Sequence, residues 1–309
     1  MKKNLLFLGM AVAALASCTN DEVFDINKSN KIQFDGFVNK DTRAVTNTDG
    51  DITKFHVFGY YGTTNVFNNV AVSKDGVNWS YTNPVAWTAN QYQFGAYATK
   101  NESDQLAGVA FADGKLTFTN YTAADANDLV AAVASVDNTG LTNATVGFTF
   151  KHLLSKVKFA LTNGTDKGYT MKVSNITFNV LPAGTCVYDG AAAWTPSGSA
   201  ASLSFAGTTA NIAAAATFTS EDHIVIPSQA LGEMKASFKV EFYDASSNKV
   251  DEKEYTNVAL KLNDAGTETW KPGYSYTYTA TITSTTNYIQ FAVTSVDAWT
   301  EQNAGAALN

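Results

Sequence analysis

Apolar and polar residues alternate with a period of two along most of this 309-residue chain, and helical spacing is nearly absent. Across 54–61, Phe55, Val57 and Gly59 alternate with His56, Phe58 and Tyr60. Comparable runs occupy 91–98, 115–119, 145–150, 156–161, 171–180, 235–243, 253–262, 274–282 and 288–296. Val, Thr, Tyr and Phe fill them, the residue types that a half-buried pleated surface favours. Asp75-Gly76, Asp113-Gly114, Asn163-Gly164, Asp189-Gly190 and Pro272-Gly273 punctuate the runs as turns. The alanines of 123–136 and 210–216 would tolerate a helix, although Asp128-Leu129-Val130 reads better as the start of a strand. Short strands at this spacing predict an all-β chain of antiparallel sandwiches. Length favours two domains, with the best seam near 145–165. No Pro- or Ser-rich linker marks that seam, so the expected units, 31–150 and 151–309, lie in close contact.

The N-terminus follows a different pattern. Lys2 and Lys3 precede a nearly unbroken apolar stretch, Leu5 to Ala16, and Leu15-Ala16-Ser17 leads into Cys18. The stretch is shorter than the roughly 20 residues that span a bilayer, so 1–17 reads as a signal peptide. Residues 18–30 then form a polar tether.

Removing residues 1–17 moves the formal charge from −7 to about −9. An acidic surface lacks the clustered Lys and Arg that bind phosphate backbones, which argues against a nucleic-acid partner. Cys18 and Cys186 are the only cysteines. With Cys18 modified, no internal disulfide forms, and stability must come from burying the 45% of residues that are apolar.

Catalytic constellations are sparse. His56, His152 and His223 are far apart, and none has a second His or a Cys at metal-ligand spacing. There is no Gly-x-Ser-x-Gly elbow and no glycine-rich phosphate loop. Glu221 and Asp222 beside His223 form the densest ionisable cluster and read as a solvated turn before Ile224-Val225-Ile226. No catalytic, metal or cofactor site is predicted.

Arg43 is the sole arginine. It lies in the polar segment 39–47, directly after the strand-like run Ile32 to Val38, where a protease can reach the chain. Several separated motifs then resemble one family. They are the lipobox-like Leu15-Ala16-Ser17-Cys18, the run Lys31-Ile32-Gln33-Phe34 with Thr42-Arg43-Ala44, and Asp128-Leu129-Val130. Further on come Phe150 to Val157, Ile226-Pro227-Ser228-Gln229, and Trp270-Lys271-Pro272-Gly273 through Tyr278. In this order they resemble the fimbrillin-type pilins of the Bacteroidetes, the major- and minor-fimbria-like proteins.

The resemblance implies two tandem antiparallel β-sandwich domains of transthyretin/Ig-like type, exported as a surface lipoprotein of the outer membrane. Cleavage between Ser17 and Cys18 would leave Cys18 as the lipidated N-terminus. An arginine-specific protease would then cut between Arg43 and Ala44, and the N-terminal strand would leave a groove filled by a strand of another fimbrial subunit. Adhesion to a host or bacterial surface ligand would follow.

A second run echoes the outgoing strand: Ile289-Gln290-Phe291 repeats Ile32-Gln33-Phe34. Ile289, Phe291 and Val293 on one face are therefore candidates for a donor strand. The competing reading makes 288–299 the closing strand of the second domain, anchored by Trp299. In that case the chain accepts a donor without supplying one, as a tip or accessory subunit does. An alternative function is a non-polymerising lipoprotein that binds glycans through Trp79, Tyr81, Trp87, Tyr92 and Trp194.

Overall fold

The computed structural model describes residues 30–38, 52–76, 78–99, 105–125, 127–205, 211–229, 234–260, 269–283 and 291–298. Among the described residues there are twenty strands and no α-helix. The strands form four sheets.

The first sheet runs in the order β1 (Phe34–Val38), β9 (Val146–His152), β8 (Leu129–Asp137), β5 (Gln91–Thr99), β2 (Lys54–Tyr61), β3 (Thr64–Asp75), β4 (Asn78–Ser80). The second is β13 (Ala192–Ser197), β12 (Ala183–Tyr188), β7 (Lys115–Thr122), β6 (Val109–Ala112). In the third, β10 (Ser155–Asn163) carries β15 (Thr217–Thr219) and β16 (His223–Val225) on one edge. On its other edge follow β19 (Tyr274–Ile282) and then β20 (Ala292–Ala298). The fourth is β14 (Ala201–Ser204), β11 (Thr170–Val180), β17 (Lys235–Tyr243), β18 (Lys249–Ala259).

The all-β expectation holds, and 129–137 is a strand as Asp128-Leu129-Val130 suggested. The purely antiparallel expectation does not: β1 pairs parallel with β9, and β10 pairs parallel with β19. Each parallel pair joins strands far apart in sequence, because only a long crossover can bring two strands side by side in the same direction. Sheet membership also ignores the expected division at residue 150. The β12–β13 hairpin lies after that point yet hydrogen-bonds to β7, with Cys186 opposite Phe118 and Tyr188 opposite Leu116.

Three apolar clusters explain the burial patterns. Strand β2 is buried on both faces because the first sheet separates two of them. Phe55 and Val57 face one cluster with Phe94 of β5 and Phe148 of β9; Phe58 faces the other with Phe118 of β7 and Cys186 of β12. The third cluster lies between the third and fourth sheets, around Phe159, Phe178, Phe238 and Tyr278.

Local chemistry fits these elements. Asp113 and Gly114 both have positive φ, 50° and 73°, and they join β6 to β7 by a two-residue turn. Such turns match the twist of a hairpin and need residues that tolerate left-handed backbone. Asn163-Gly164, by contrast, is a buried corner rather than a hairpin turn. The Asn163 amide donates to the carbonyls of Tyr169 (2.8 Å) and Ile212 (2.9 Å), and its oxygen accepts from the Thr165 hydroxyl (2.8 Å). Gln229 clamps Leu181 in the same manner, accepting from its N–H at 2.7 Å and donating to its carbonyl at 3.1 Å.

Candidate functional site

The region with the clearest functional geometry is the seat of the first strand. Ile32 and Phe34 are 0% and 5% exposed, while Gln33 and Asp35, which alternate with them, are exposed. This alternation places Ile32, Phe34 and Gly36 on the inner side of an extended segment. Opposite it, β9 presents Val146, Phe148 and Phe150 to the core and Gly147, Thr149 and Lys151 to the outside. The parallel register sets Phe34 against Val146 and Val38 against Phe150.

The segment changes partner along its length. Val146 N–H donates to the Gln33 carbonyl at 2.8 Å, and from there to Val38 the chain follows β9. Before that point it follows residues 85–87: Ile32 N–H donates to Val85 O, and Trp87 N–H donates to Asn30 O, both at 2.8 Å. Within the described sheet β1 has β9 as its one neighbouring strand, so it is an edge strand. Tyr81 acts as a latch. Its hydroxyl donates to Ile32 O at 2.8 Å, and the Lys31 ammonium sits 4.5 Å from its ring centroid. Burial pushes the Tyr81 phenol up to about 12, so it remains a donor at neutral pH.

Phe34 is the centre of the seat. Its ring meets Phe67 at 5.2 Å, Tyr81 at 5.5 Å, Phe94 and Phe148 at 5.9 Å, and Phe55 at 6.2 Å. Phe67 lies on β3, five strands away in sheet order, so the first sheet curls until its two ends approach around this ring. Gly36 completes the imprint. A Cβ at this position would lie 3.0 Å from Phe150 Cε2 and 3.7 Å from Phe55 Cε1. Both rings are fully buried and cannot readily give way.

The remaining sequence candidates fall as follows. Ser17, Cys18, Arg43, Ala44 and Ile289 lie outside the described residues, as does Trp299. Phe291 is fully buried in the third cluster, 5.2 Å from Phe159 and 6.0 Å from Phe238 by ring centroid. Val293 belongs to β20, antiparallel to β19 and opposite Tyr278. The structure therefore does not bring Phe291 to the first-strand seat. Of the five aromatics considered for sugar stacking, none is exposed. Trp87, Tyr92 and Trp194 are buried, and Trp194 donates through Nε1 to Leu153 O at 2.6 Å.

The histidines serve the fold. His56 is buried and stacks on Tyr97 with ring centroids 5.3 Å apart. His152 Nδ1 meets Asp128 at 2.5 Å, and His223 Nδ1 meets Asp125 at 2.7 Å. Asp125 also accepts from Ile224 N–H at 2.9 Å. Asp222 sits 3.7 Å from Lys158, and Glu221 3.9 Å from His223. Among the described residues no group of three His, Cys, Asp or Glu side chains has a metal-binding arrangement. Sequence reasoning missed Gly36, although a glycine inside a strand pattern signals a close approach. It also missed Asp125 and read Tyr81 as a sugar-stacking aromatic rather than as a latch on the first strand, since the partners of both are remote and leave no local signal.

The fimbrillin-like family profile matches residues 42–299. The chain belongs to the fimbrillin-like family. No curated protein matches the chain. Among solved structures, a fimbrial protein from Bacteroides vulgatus ATCC 8482 shares the fold with a TM-score of 0.62 at 15% identity, covering 88% of this chain and 100% of that one. A protein from Bacteroides eggerthii DSM 20697 described as a candidate for cell adhesion superposes with a TM-score of 0.52 at 13% identity, covering 87% of this chain and 97% of that one. A Bacteroides ovatus ATCC 8483 protein with the same description reaches 0.50 at 16% identity, covering 88% of this chain and 99% of that one.

Proposed function

We propose that this fimbrillin-like chain is a subunit of a cell-surface fimbrium that assembles by strand replacement. It is exported, loses residues 1–17 and is lipidated at Cys18, which tethers it to the outer membrane. An arginine-specific protease then cuts between Arg43 and Ala44. The segment carrying Ile32 and Phe34 leaves with its tether, and a strand from another fimbrial subunit takes its place. The fold is read as two β-sandwich units, the first comprising 31–150 together with the β12–β13 hairpin.

One observation carries the reading. Among the described residues the first strand has one sheet neighbour, yet it supplies the ring at the centre of a core. A strand that is topologically peripheral can leave without unthreading the sheet. The apolar seat it vacates must be refilled, because exposing that surface is costly. Backbone hydrogen bonds along β9 and alternate side-chain pockets are the two components of β-augmentation.

A second observation favours an accepting role. Phe291 is seated in the third cluster and β20 is bonded to β19, so the C-terminal run is engaged in the chain's own fold. We therefore assign the chain as a tip or accessory subunit that receives a donor strand and contributes to adhesion.

Treating the Cys18-free protein with an arginine-specific protease tests this. The expected result is a single cut at Arg43, followed by oligomers when a donor subunit is added. Arg43→Ala abolishes both. A chain that stays uncut in its folded state, or that is cut and never associates with any subunit, refutes the proposal.

A further inference from the structure

The seat of the first strand also carries a rule about what can enter it. This inference rests on the strand-replacement reading above and names the partner that reading requires. We infer that the incoming strand bears an aliphatic residue, an aromatic residue and a glycine at alternate positions, matching Ile32, Phe34 and Gly36, and that the C-terminal run of this chain is not that strand.

Three features set the rule. The Ile32 and Phe34 positions are closed pockets, so they demand apolar side chains of comparable volume. The ring environment at 5.2–6.2 Å favours an aromatic in the second pocket. The third position has no pocket. Even a methyl carbon would approach Phe150 Cε2 to 3.0 Å, and Phe150 is held by Phe55 at 5.5 Å and Phe148 at 5.8 Å. Alanine is the limit, and a β-branched residue adds two further carbons against immobile rings. Before the first pocket, Tyr81 offers its ring face to a cation such as Lys31.

This chain's own C-terminal run breaks the rule. Placing Ile289 and Phe291 in the two pockets sets Val293 on the Gly36 position. The C-terminal run of a second copy is thus refused in the register that matches its Ile-Gln-Phe echo. The seat discriminates against that run while staying open to a strand ending in glycine, a case of specificity obtained by a clash rather than by an added contact.

Two linked experiments test the rule. In the intact chain, Gly36→Val is measured alone, against Phe150→Leu, and in combination. The expected result is a lowered unfolding midpoint for Gly36→Val that Phe150→Leu partly restores. A neutral Gly36→Val, or two effects that simply add, overturns the steric claim. In the second, the Cys18-free protein cut at Arg43 is offered fluorescent peptides. One carries Lys31–Val38, one carries the same residues with Val at the Gly36 position, and one carries Asn287–Ser295. The first peptide is expected to bind, and the other two to bind ~10- to 100-fold more weakly, the range that overpacking a dense core produces. Equal binding of the first two overturns the rule while leaving strand replacement standing. Uptake of none overturns strand replacement and the rule with it.

Discussion

Phe34→Ala is the most direct perturbation of the first-strand seat. Removing a buried phenylalanine ring costs ~3–5 kcal/mol, combining lost transfer energy with an unfilled cavity. Phe34 belongs toward the upper part of that range. It touches five aromatic rings and is 5% exposed, and β3 and β5 are fixed by longer pairings to β2 and β8, so the site has little freedom to collapse. With an expected loss of ~4 kcal/mol and a guanidinium m-value of roughly 4 kcal/mol/M, the unfolding midpoint of the first core falls by about 1 M. Hydrogen exchange then reports where the loss falls: amides of β9, which bond the segment from Gln33 to Val38, exchange faster, while β10 and β19 amides do not. Gln33→Ala is the control. Its side chain faces solvent, so it shifts stability by less than about 0.5 kcal/mol. A Phe34→Ala loss below about 1 kcal/mol, or one spread evenly over all sheets, would show that the first strand is not seated as described and would remove the basis for strand replacement.

Three other outcomes follow from the buried polar groups. Burial, aided by Lys54, lowers the His56 pKa below its ordinary 6.5. The folded state therefore binds fewer protons than the unfolded one, and stability falls as pH drops through 6.5. His56→Gln flattens the stability slope between about pH 7.5 and about pH 5.5, and identical slopes contradict this. Burial pushes the Cys186 thiol up to about 12, so alkylation of the native protein by iodoacetamide near pH 8 proceeds no faster than unfolding; prompt labelling counts against it. Asp125→Ala strips a partner from both the His223 ring and the Ile224 N–H, and is expected to destabilise by about 2 kcal/mol in chemical denaturation.

The alternation of β10, β11 and β17 was legible because each strand has one face in a single core and the other facing outward. Strand β3 was not read from sequence. Its Asn68-Asn69 step carries a positive φ at Asn69 and a register shift against β2, which breaks the period of two. Strands β12 and β13 are short and rich in small residues, and the β7 partner of β12 is about sixty residues upstream, so only the Asp189-Gly190 turn announces them. The two parallel pairings escaped for the same reason. His223, expected in a solvated turn, is instead buried, and the carboxylate partners of His152 and His223 were not named, since Asp128 and Asp125 reach them only through the fold. The site itself was half legible: the alternation of Ile32 and Phe34 marked a strand, and its peripheral place in the sheet required the topology.

The hairpin that crosses back to β7 makes the two halves of the polypeptide one object. A fragment ending near residue 150 would leave Leu116 and Phe118 under an open border, an invitation to aggregate. During synthesis the first half therefore waits for residue 197 before its outer layer can close.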